Sequence, residues 1–201
     1  KPNDCAKYMI QDSVYCCNLI TIYTRLNEST AANEWHESTL KRPESDESKR
    51  EMEEFLDMEI RHLSEYFEEG FREKYALVGS DQLASLIALN DSFRGCIESK
   101  RELVEKYNPI YTVISMLPCS KLWRWIARTI YERRENNLYA FWIDEVLSDP
   151  DGLTRIENLI NKYSNKVDLD LANEIFRKFM QYELLMFNIN KNNNDEEEMT
   201  T

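Results

Sequence analysis

Residues 115–123 read SMLPCSKLW, and the proline in this stretch interrupts an otherwise helical pattern. Apolar residues recur at helical spacing on both sides of it. A proline inside such a pattern kinks the helix or begins a new one, because its ring removes one backbone donor and clashes with the preceding turn. We therefore expect Pro118 to begin a new helix and Cys119 to lie on its first turn.

The same helical periodicity extends over most of the chain. Only four glycines and five prolines occur among 201 residues, which argues against a sheet-rich fold with many tight turns. Helices are predicted over residues 4–26, about 51–70, 81–107, from Pro109 onward, 138–147, 153–164 and 169–189. Asp4 is the predicted cap of the first of these helices, and Asp81 is the predicted cap of the third. The pattern predicts an all-α single domain of antiparallel helices joined by short loops.

Three segments lack this pattern. Residues 41–50 contain no apolar residue and are expected to form an exposed connection, and residues 149–152 are expected to form a turn. Residues 190–201 are polar, rich in Asn and Glu, and predicted to be a disordered tail. The expected organisation is one helical domain over residues 1–189 followed by that tail.

The overall charge and the absence of common motifs exclude several classes of partner. The formal net charge of -12 disfavours nucleic acids and anionic membrane surfaces. No glycine-rich phosphate-binding motif occurs, and no apolar run approaches the ~18 residues of a spanning helix. No signal peptide is visible. We expect neither a nucleic acid nor a membrane as partner.

The five cysteines are odd in number and irregularly spaced. A disulfide framework is typical of shorter secreted chains, so a reducing, cytoplasmic location with mostly buried thiols is expected. Cys119 differs from the others because backbone N–H groups at a helix start stabilise a thiolate, which makes it a candidate nucleophile. The alternative is a small residue buried beside a kink.

Two carboxylates lie within apolar helical stripes. Asp12 and Tyr15 are three residues apart on the first helix, and a carboxylate that faces a core must find a partner or line a polar cavity. Glu183 lies among apolar neighbours on the last helix, where burial would suit a general acid. For both residues the alternative is an ordinary carboxylate on the helix surface.

Aromatic pairs at helical or near-helical spacing could line a binding pocket or belong to the core. Tyr139 and Trp142 form one such pair, and Trp123 and Trp125 form another. Flat heteroaromatic ligands stack on faces of this kind.

Metal binding is not expected. Glu59 and His62 form half of a di-iron carboxylate motif, but the only other histidine, His36, has no matching pair. His62 is therefore predicted to be a core or hydrogen-bonding histidine, and no cofactor is predicted.

Four short motifs occur in an order that resembles the TenA family, also called thiaminase II. The resemblance covers most of residues 5–188, and the motifs are Gln11-Asp12-x-x-Tyr15, Leu117-Pro118-Cys119, Tyr139-x-x-Trp142-Ile143, and Tyr182-Glu183 with Phe187. It implies a haem-oxygenase-like helical bundle without haem or metal. It also implies a homo-oligomer and the hydrolysis of aminopyrimidines or thiamin to hydroxymethylpyrimidine, as in thiamin salvage.

The resemblance also implies a role for each matched residue. Cys119 matches the family's nucleophile, and Glu183 matches its proton donor and acceptor. Asp12 matches the residue that holds the amino edge of the pyrimidine, while Tyr15 and Tyr139 match the pocket wall. These residues are expected to line one pocket.

Three departures from the family pattern are visible. A tyrosine often found in the middle helix is absent, and Asn90-Asp91-Ser92 lies at about that place. Trp123 stands where many members carry a tyrosine, within the same pocket. The family usually has a further helix before the Gln-Asp helix, whereas this sequence starts eleven residues before Asp12, so either the sequence is cut there or the bundle lacks that helix. A non-catalytic pyrimidine-binding or protein-interaction member of the same fold is therefore the alternative.

Overall fold

The computed structural model describes residues 2–32, 46–75, 89–133, 135, 140–148 and 150–187. Within these ranges every regular element is an α-helix or a short 3₁₀ helix, and no β-strand occurs. The prediction of an all-α protein is confirmed. None of the helices in these ranges contains a stretch long and apolar enough to cross a bilayer.

The α-helices follow one another along the chain with short connections where these are described. They are α1 (Pro2–Ala32), α2 (Asp46–Tyr75), α3 (Asp91–Lys106), α4 (Pro109–Ile114), α5 (Leu117–Ile130), α6 (Ala140–Ser148), α7 (Pro150–Lys162) and α8 (Leu169–Phe187). Two 3₁₀ helices, Tyr131–Arg133 and Ser164–Lys166, follow α5 and α7.

The helices form two compact units. Unit 1 contains the described residues up to Pro109 together with those from Leu184 onward, and unit 2 contains Ile110–Glu183. The predicted tail over residues 190–201 lies outside the described residues. A single domain over residues 1–189 stays a prediction.

Unit 1 is built on α1, whose buried residues recur at helical spacing. An early residue of α1, Asp12, bonds a late residue of α2, Tyr66, and the later Asn27 bonds the earlier Asp57. The two helices are therefore antiparallel. The buried residues of α1 are Tyr8, Met9, Ile10, Gln11, Ser13, Tyr15, Cys16, Leu19, Ile22, Tyr23 and Leu26.

The third helix of unit 1 begins later than predicted. Asn90 is its N-cap, and the side-chain oxygen of Asn90 accepts a bond from the backbone N–H of Phe93 over 3.1 Å. A continuous helix over residues 81–107 is therefore wrong, because residues 89–90 are not helical. An asparagine side chain satisfies the open N–H groups of a first turn, which favours a helix start at this position. The proposed cap Asp81 lies outside the described residues.

The first two helices are longer than predicted. α1 continues past Leu26 to Ala32, and α2 continues past Gly70 to Tyr75. Residues 46–50 form the first turn of α2 instead of a connection. Glutamate, lysine and arginine are good helix formers even without apolar neighbours, and the ~1 kcal/mol cost of one glycine does not end a long helix.

Unit 2 contains the expected restart at the central proline. α5 begins at Leu117, directly after a turn, with Pro118 in its first turn. The missing N–H of proline costs little there, because first-turn N–H groups have no helical partner. The predicted turn over residues 149–152 is wrong, because α7 begins at Pro150, the same favourable location for a proline. Asp149 lies outside the described residues.

Candidate functional site

Cys119 lies on the first turn of α5, as predicted, and is half-buried. Serine hydroxyl groups before and after Cys119 stabilise the junction between α4 and α5. Ser115 Oγ donates to the carbonyl of Thr112 over 2.6 Å, and Ser120 Oγ donates to the carbonyl of Met116 over 3.2 Å. These bonds hold the turn that places the thiol at a helix start.

The cysteines that the structure describes are thiols of differing exposure. Cys16 and Cys96 are buried, whereas Cys17 is exposed. Adjacent residues of a helix point to different faces, which accounts for the difference between Cys16 and Cys17. Cys119 is intermediate in exposure.

Glu183 is buried near the end of α8, with 4% of its surface exposed. The apolar neighbours Phe179 and Met186 are also buried. The alternative of a surface glutamate is therefore wrong. A carboxylate in such surroundings is costly to keep charged without compensation, so burial suits a group that gains and loses a proton.

Tyr111, which sequence reasoning did not single out, determines where α8 begins. Its ring is fully buried, and its hydroxyl oxygen accepts a bond from the backbone N–H of Asp168 over 2.9 Å. Burial raises the pKa of the Tyr111 phenol, the negative charge of Asp168 raises it further, and the bond from the Asp168 N–H opposes both. The signal in the sequence was a tyrosine within the apolar run at 110–116, since its hydroxyl needs a partner.

Asp168 in turn caps α8. Its Oδ1 accepts bonds from the backbone N–H groups of Asp170 and Leu171, over 2.9 and 3.1 Å. The start of the helix that carries Glu183 is therefore held by a cap and by Tyr111. A hydrophobic pattern predicts such a helix but not the bonds that fix its start.

The predicted aromatic faces are only partly present. Trp123 on α5 packs against Trp142 on α6, with ring centroids 4.9 Å apart in an edge-to-face arrangement. Trp125 does not share this face and is 64% exposed, because residues two apart point to different sides of a helix. Tyr139 lies outside the described residues.

Asp12 is half-buried on α1 and has the polar partner that its apolar surroundings demanded. Tyr66 on α2 donates its hydroxyl to Oδ2 of Asp12 over 2.8 Å. Burial raises the pKa of the Tyr66 phenol well above its usual range, and the charge of Asp12 raises it further. The spacing of Phe55, Met58, His62 and Tyr66 predicts an apolar stripe on α2, which includes Tyr66 but gives no sign of this bond.

The rest of that stripe differs from the prediction. Phe55 is buried, but Met58 is 38% exposed. His62 is exposed, so a core location for it is wrong. The buried face of α2 is instead formed by Met52, Phe55 and Leu56. The buried positions differ from the predicted stripe because they depend on how α2 lies along α1.

Tyr15 faces α3. Its hydroxyl lies 3.4 Å from Sγ of Cys96, and its ring meets Phe93 edge to face at 5.7 Å. Asp12 contacts α2, so Asp12 and Tyr15 bond to different neighbouring helices although they are three residues apart. Tyr15 is buried, which agrees with a structural contact as well as with a pocket wall.

Gln11, the first residue of the Gln-Asp motif, joins α1 to the start of α3. Its Oε1 accepts a bond from the backbone N–H of Asn90 over 3.0 Å, and the side chain is buried. Because Asn90 caps α3, this contact fixes the start of that helix. Gln11 therefore has a structural role beside Asp12.

The predicted site residues divide between the two units. Unit 1 holds Asp12 and Tyr15, while unit 2 holds Cys119, Trp123 and Glu183. A single pocket lined by all of them stays a prediction. Over the ranges that the structure covers, no group of three His, Cys, Asp or Glu side chains is arranged to hold a metal ion.

Comparison with known proteins adds no relative. No protein-family profile matches the sequence, and no curated protein matches it. The resemblance to the TenA family therefore rests on the four motifs alone.

Proposed function

We propose that this chain is a cysteine-dependent hydrolase of aminopyrimidines, of the TenA type. Its substrates would be thiamin breakdown products or thiamin, and its product hydroxymethylpyrimidine, for thiamin salvage. The observation that carries the proposal is the location of Cys119, a half-buried thiol on the first turn of α5, behind Pro118. The buried carboxyl of Glu183 in the same unit supports it.

Cys119 is the proposed nucleophile. Its thiolate adds to a carbon of the pyrimidine ring, and the leaving group on the neighbouring methylene then departs with its bonding electrons. Water adds to that methylene, and the thiolate is expelled as the ring regains its aromaticity. The amine or thiazole that leaves and the water that enters balance the reaction without a cofactor.

Glu183 is the proposed proton donor and acceptor. It protonates the ring or the leaving group in the first half of the reaction and accepts a proton from water in the second. Its burial supports this assignment, because a general acid acts on a substrate that is itself held away from bulk water.

Asp12 is proposed to bind the amino edge of the pyrimidine. A carboxylate can accept two bonds side by side, which suits an amino group next to a ring nitrogen. Tyr15, Tyr139 and Trp123 are proposed as pocket walls on which the ring stacks. The edge-to-face packing of Trp123 on Trp142 supplies a rigid surface for that purpose.

A homo-oligomer in the cytoplasm, dimeric or tetrameric, completes the proposal. Trp125 is 64% exposed and Leu169 is 69% exposed, so each leaves a large apolar side chain available to a second copy of the chain. Light scattering on the purified chain measures the subunit number, and a monomer would contradict this part.

The test of the activity is turnover. Incubation with an aminomethyl-substituted aminopyrimidine should release ammonia, and incubation with thiamin should release the thiazole. Cys119→Ala should lower the rate by about a thousandfold or more, because the covalent step is lost. Cys17→Ala removes an exposed thiol elsewhere and serves as the matched control. Equal rates for wild type and Cys119→Ala would contradict the proposal.

A helical binding protein that has kept the fold without the chemistry is the second candidate. The exposed Trp125 favours it, since an unpacked tryptophan is common at protein interfaces. Calorimetry with hydroxymethylpyrimidine separates the two: tight binding without turnover supports the binding protein, and turnover that depends on Cys119 supports the enzyme.

A further inference from the structure

The bond between Tyr66 and Asp12 joins two residues 54 positions apart, on α2 and α1. At 2.8 Å it is a hydrogen bond of ordinary length from a neutral hydroxyl to a carboxylate. Bonds to a charged acceptor are stronger and more directional than those between neutral groups. It therefore constrains the acceptor as well as the helices.

The carboxylate of an aspartate rotates easily about its last torsion, which has broad and roughly two-fold preferences. Asp12 is only half-buried, so packing constrains this rotation less than it would in a core. A bond from Tyr66 to Oδ2 selects one rotation. It uses one of the acceptor positions of the group, which has about four in all.

Tyr66 remains a donor over the whole range of neutral pH. Burial raises the pKa of its phenol, and Asp12, Cys16 and Tyr8 raise it further. The direction of the bond from phenol to carboxylate therefore does not reverse when the pH changes by a unit or two.

Asp12 is a polar residue within an apolar stripe of α1. Tyr8, Asp12 and Cys16 are spaced by four residues and share one face of the helix. Tyr8 and Cys16 are buried, whereas Asp12 is half-buried. A few oriented polar groups among apolar neighbours are what small-molecule sites use to set the orientation of a ligand.

We infer that Tyr66 is a positioning residue for substrate binding: it holds the Asp12 carboxylate in the rotation that receives the amino edge of the pyrimidine. The inference rests on the proposed function, because it needs a ligand at Asp12. Tyr66 lies on α2, whereas the site residues predicted from the sequence motifs lie on other helices.

The experiment is a double-mutant cycle with Tyr66→Phe, Asp12→Asn and the pair. Tyr66→Phe keeps the ring and removes only the donor. It should weaken hydroxymethylpyrimidine binding and raise KM for the aminopyrimidine by about tenfold, with kcat within about twofold of wild type. Because Tyr66 acts through Asp12, the double variant should bind no more weakly than Asp12→Asn alone.

The matched control is Asp57→Ala. Asp57 accepts another bond between the same helices, from Nδ2 of Asn27 over 2.7 Å, and this bond is exposed. Its loss weakens the α1–α2 contact without touching Asp12, so Kd and KM should stay at wild-type values. All measurements are made below the melting midpoint of every variant.

Unchanged binding by Tyr66→Phe overturns the inference, as do effects that add in the double variant. A tenfold loss in Asp57→Ala also overturns it, since any weakening of α1 against α2 would then suffice. Wild-type protein that neither binds nor hydrolyses pyrimidines overturns the proposed function together with the inference. Wild-type turnover with an unaffected Tyr66→Phe overturns the inference alone.

Discussion

Each of the two compact units has a tyrosine hydroxyl that bonds to a distant segment, and the two hydroxyls act in opposite directions. In unit 1, Tyr66 donates to the carboxylate of Asp12. In unit 2, Tyr111 accepts from the backbone N–H of Asp168. Tyr111 is fully buried, whereas Tyr66 is partly buried and its partner is half-exposed.

The difference separates two uses of the same side chain. A bond from a backbone N–H fixes the start of a helix, and that N–H has no second bond to donate. A carboxylate has about four acceptor positions, so one bond does not use its whole capacity. Unit 2 therefore uses its tyrosine to fix a helix start, and unit 1 has the polar pair to which we assign ligand binding in our proposal.

The largest expected effect tests burial. Tyr111→Ala should lower the free energy of unfolding by about 3–5 kcal/mol, because it empties a core site that only a large ring fills. Tyr66→Ala should cost about half as much, since its ring is only partly buried. Urea unfolding followed by helical circular dichroism measures both. Equal losses would show that burial does not distinguish the two tyrosines.

Removing helix caps should have a smaller effect, of similar size in the two units. Asp168→Ala removes the cap of α8, and Asn90→Ala removes the cap of α3. Each should cost about 1 kcal/mol. Asn90→Ala keeps the backbone N–H that Gln11 accepts from, so a much larger loss there would mean that the side chain does more than cap the helix.

The free energy of unfolding at alkaline pH should be the next quantity to depend on the two tyrosines. Both phenols have a raised pKa in the folded state, so folding favours their neutral forms. Their contribution is complete below the ordinary tyrosine pKa of about 10 and is lost as the pH rises above it.

Tyr66→Phe and Tyr111→Phe should each flatten this decline, because folding raises the pKa of both phenols. Urea unfolding at pH 8 and pH 11 measures the slope, with each variant compared against wild type. A steeper decline in either variant would contradict the direction of the shift.

Surface ion pairs should have the smallest effect in both units. Lys121 pairs with Glu157 at 2.6 Å in unit 2, and Arg25 pairs with Glu105 at 3.5 Å in unit 1. All four side chains are more than 40% exposed, so Lys121→Ala and Arg25→Ala should each change stability by about 0–1 kcal/mol. The change should shrink at 1 M salt, and a salt-independent loss would point to packing instead.

Some of the candidate site could be predicted because its signal is local. Pro118 ends one helical pattern and starts another, which places Cys119 on a first turn whatever packs around it. The apolar neighbours of Glu183 on α8 allowed either a buried or a surface carboxylate, and the structure shows it buried although Leu184 and Phe187 are exposed. Trp125 could have been separated from Trp123 by the same geometry, since residues two apart do not share a helical face.

Other parts of the site have no local signal. The pattern on α1 showed that Asp12 needed a partner, but not that Tyr66 on α2 supplies it. The role of Gln11 depends on its bond to Asn90, which is 79 residues further along the chain and caps α3. Such pairs depend on the relative rotation and register of two helices, which neither sequence determines alone.

The sequence by itself determined that the chain is helical, that a helix restarts at Pro118, and that Asp12 and Glu183 lie among apolar residues. These properties follow from backbone geometry and from the spacing of side chains within one helix. Only the tertiary structure decided that Tyr66 donates to Asp12 and that Tyr111 anchors the start of α8. A hydrogen bond needs two atoms within about 3 Å, and packing alone brings residues more than fifty positions apart to that distance.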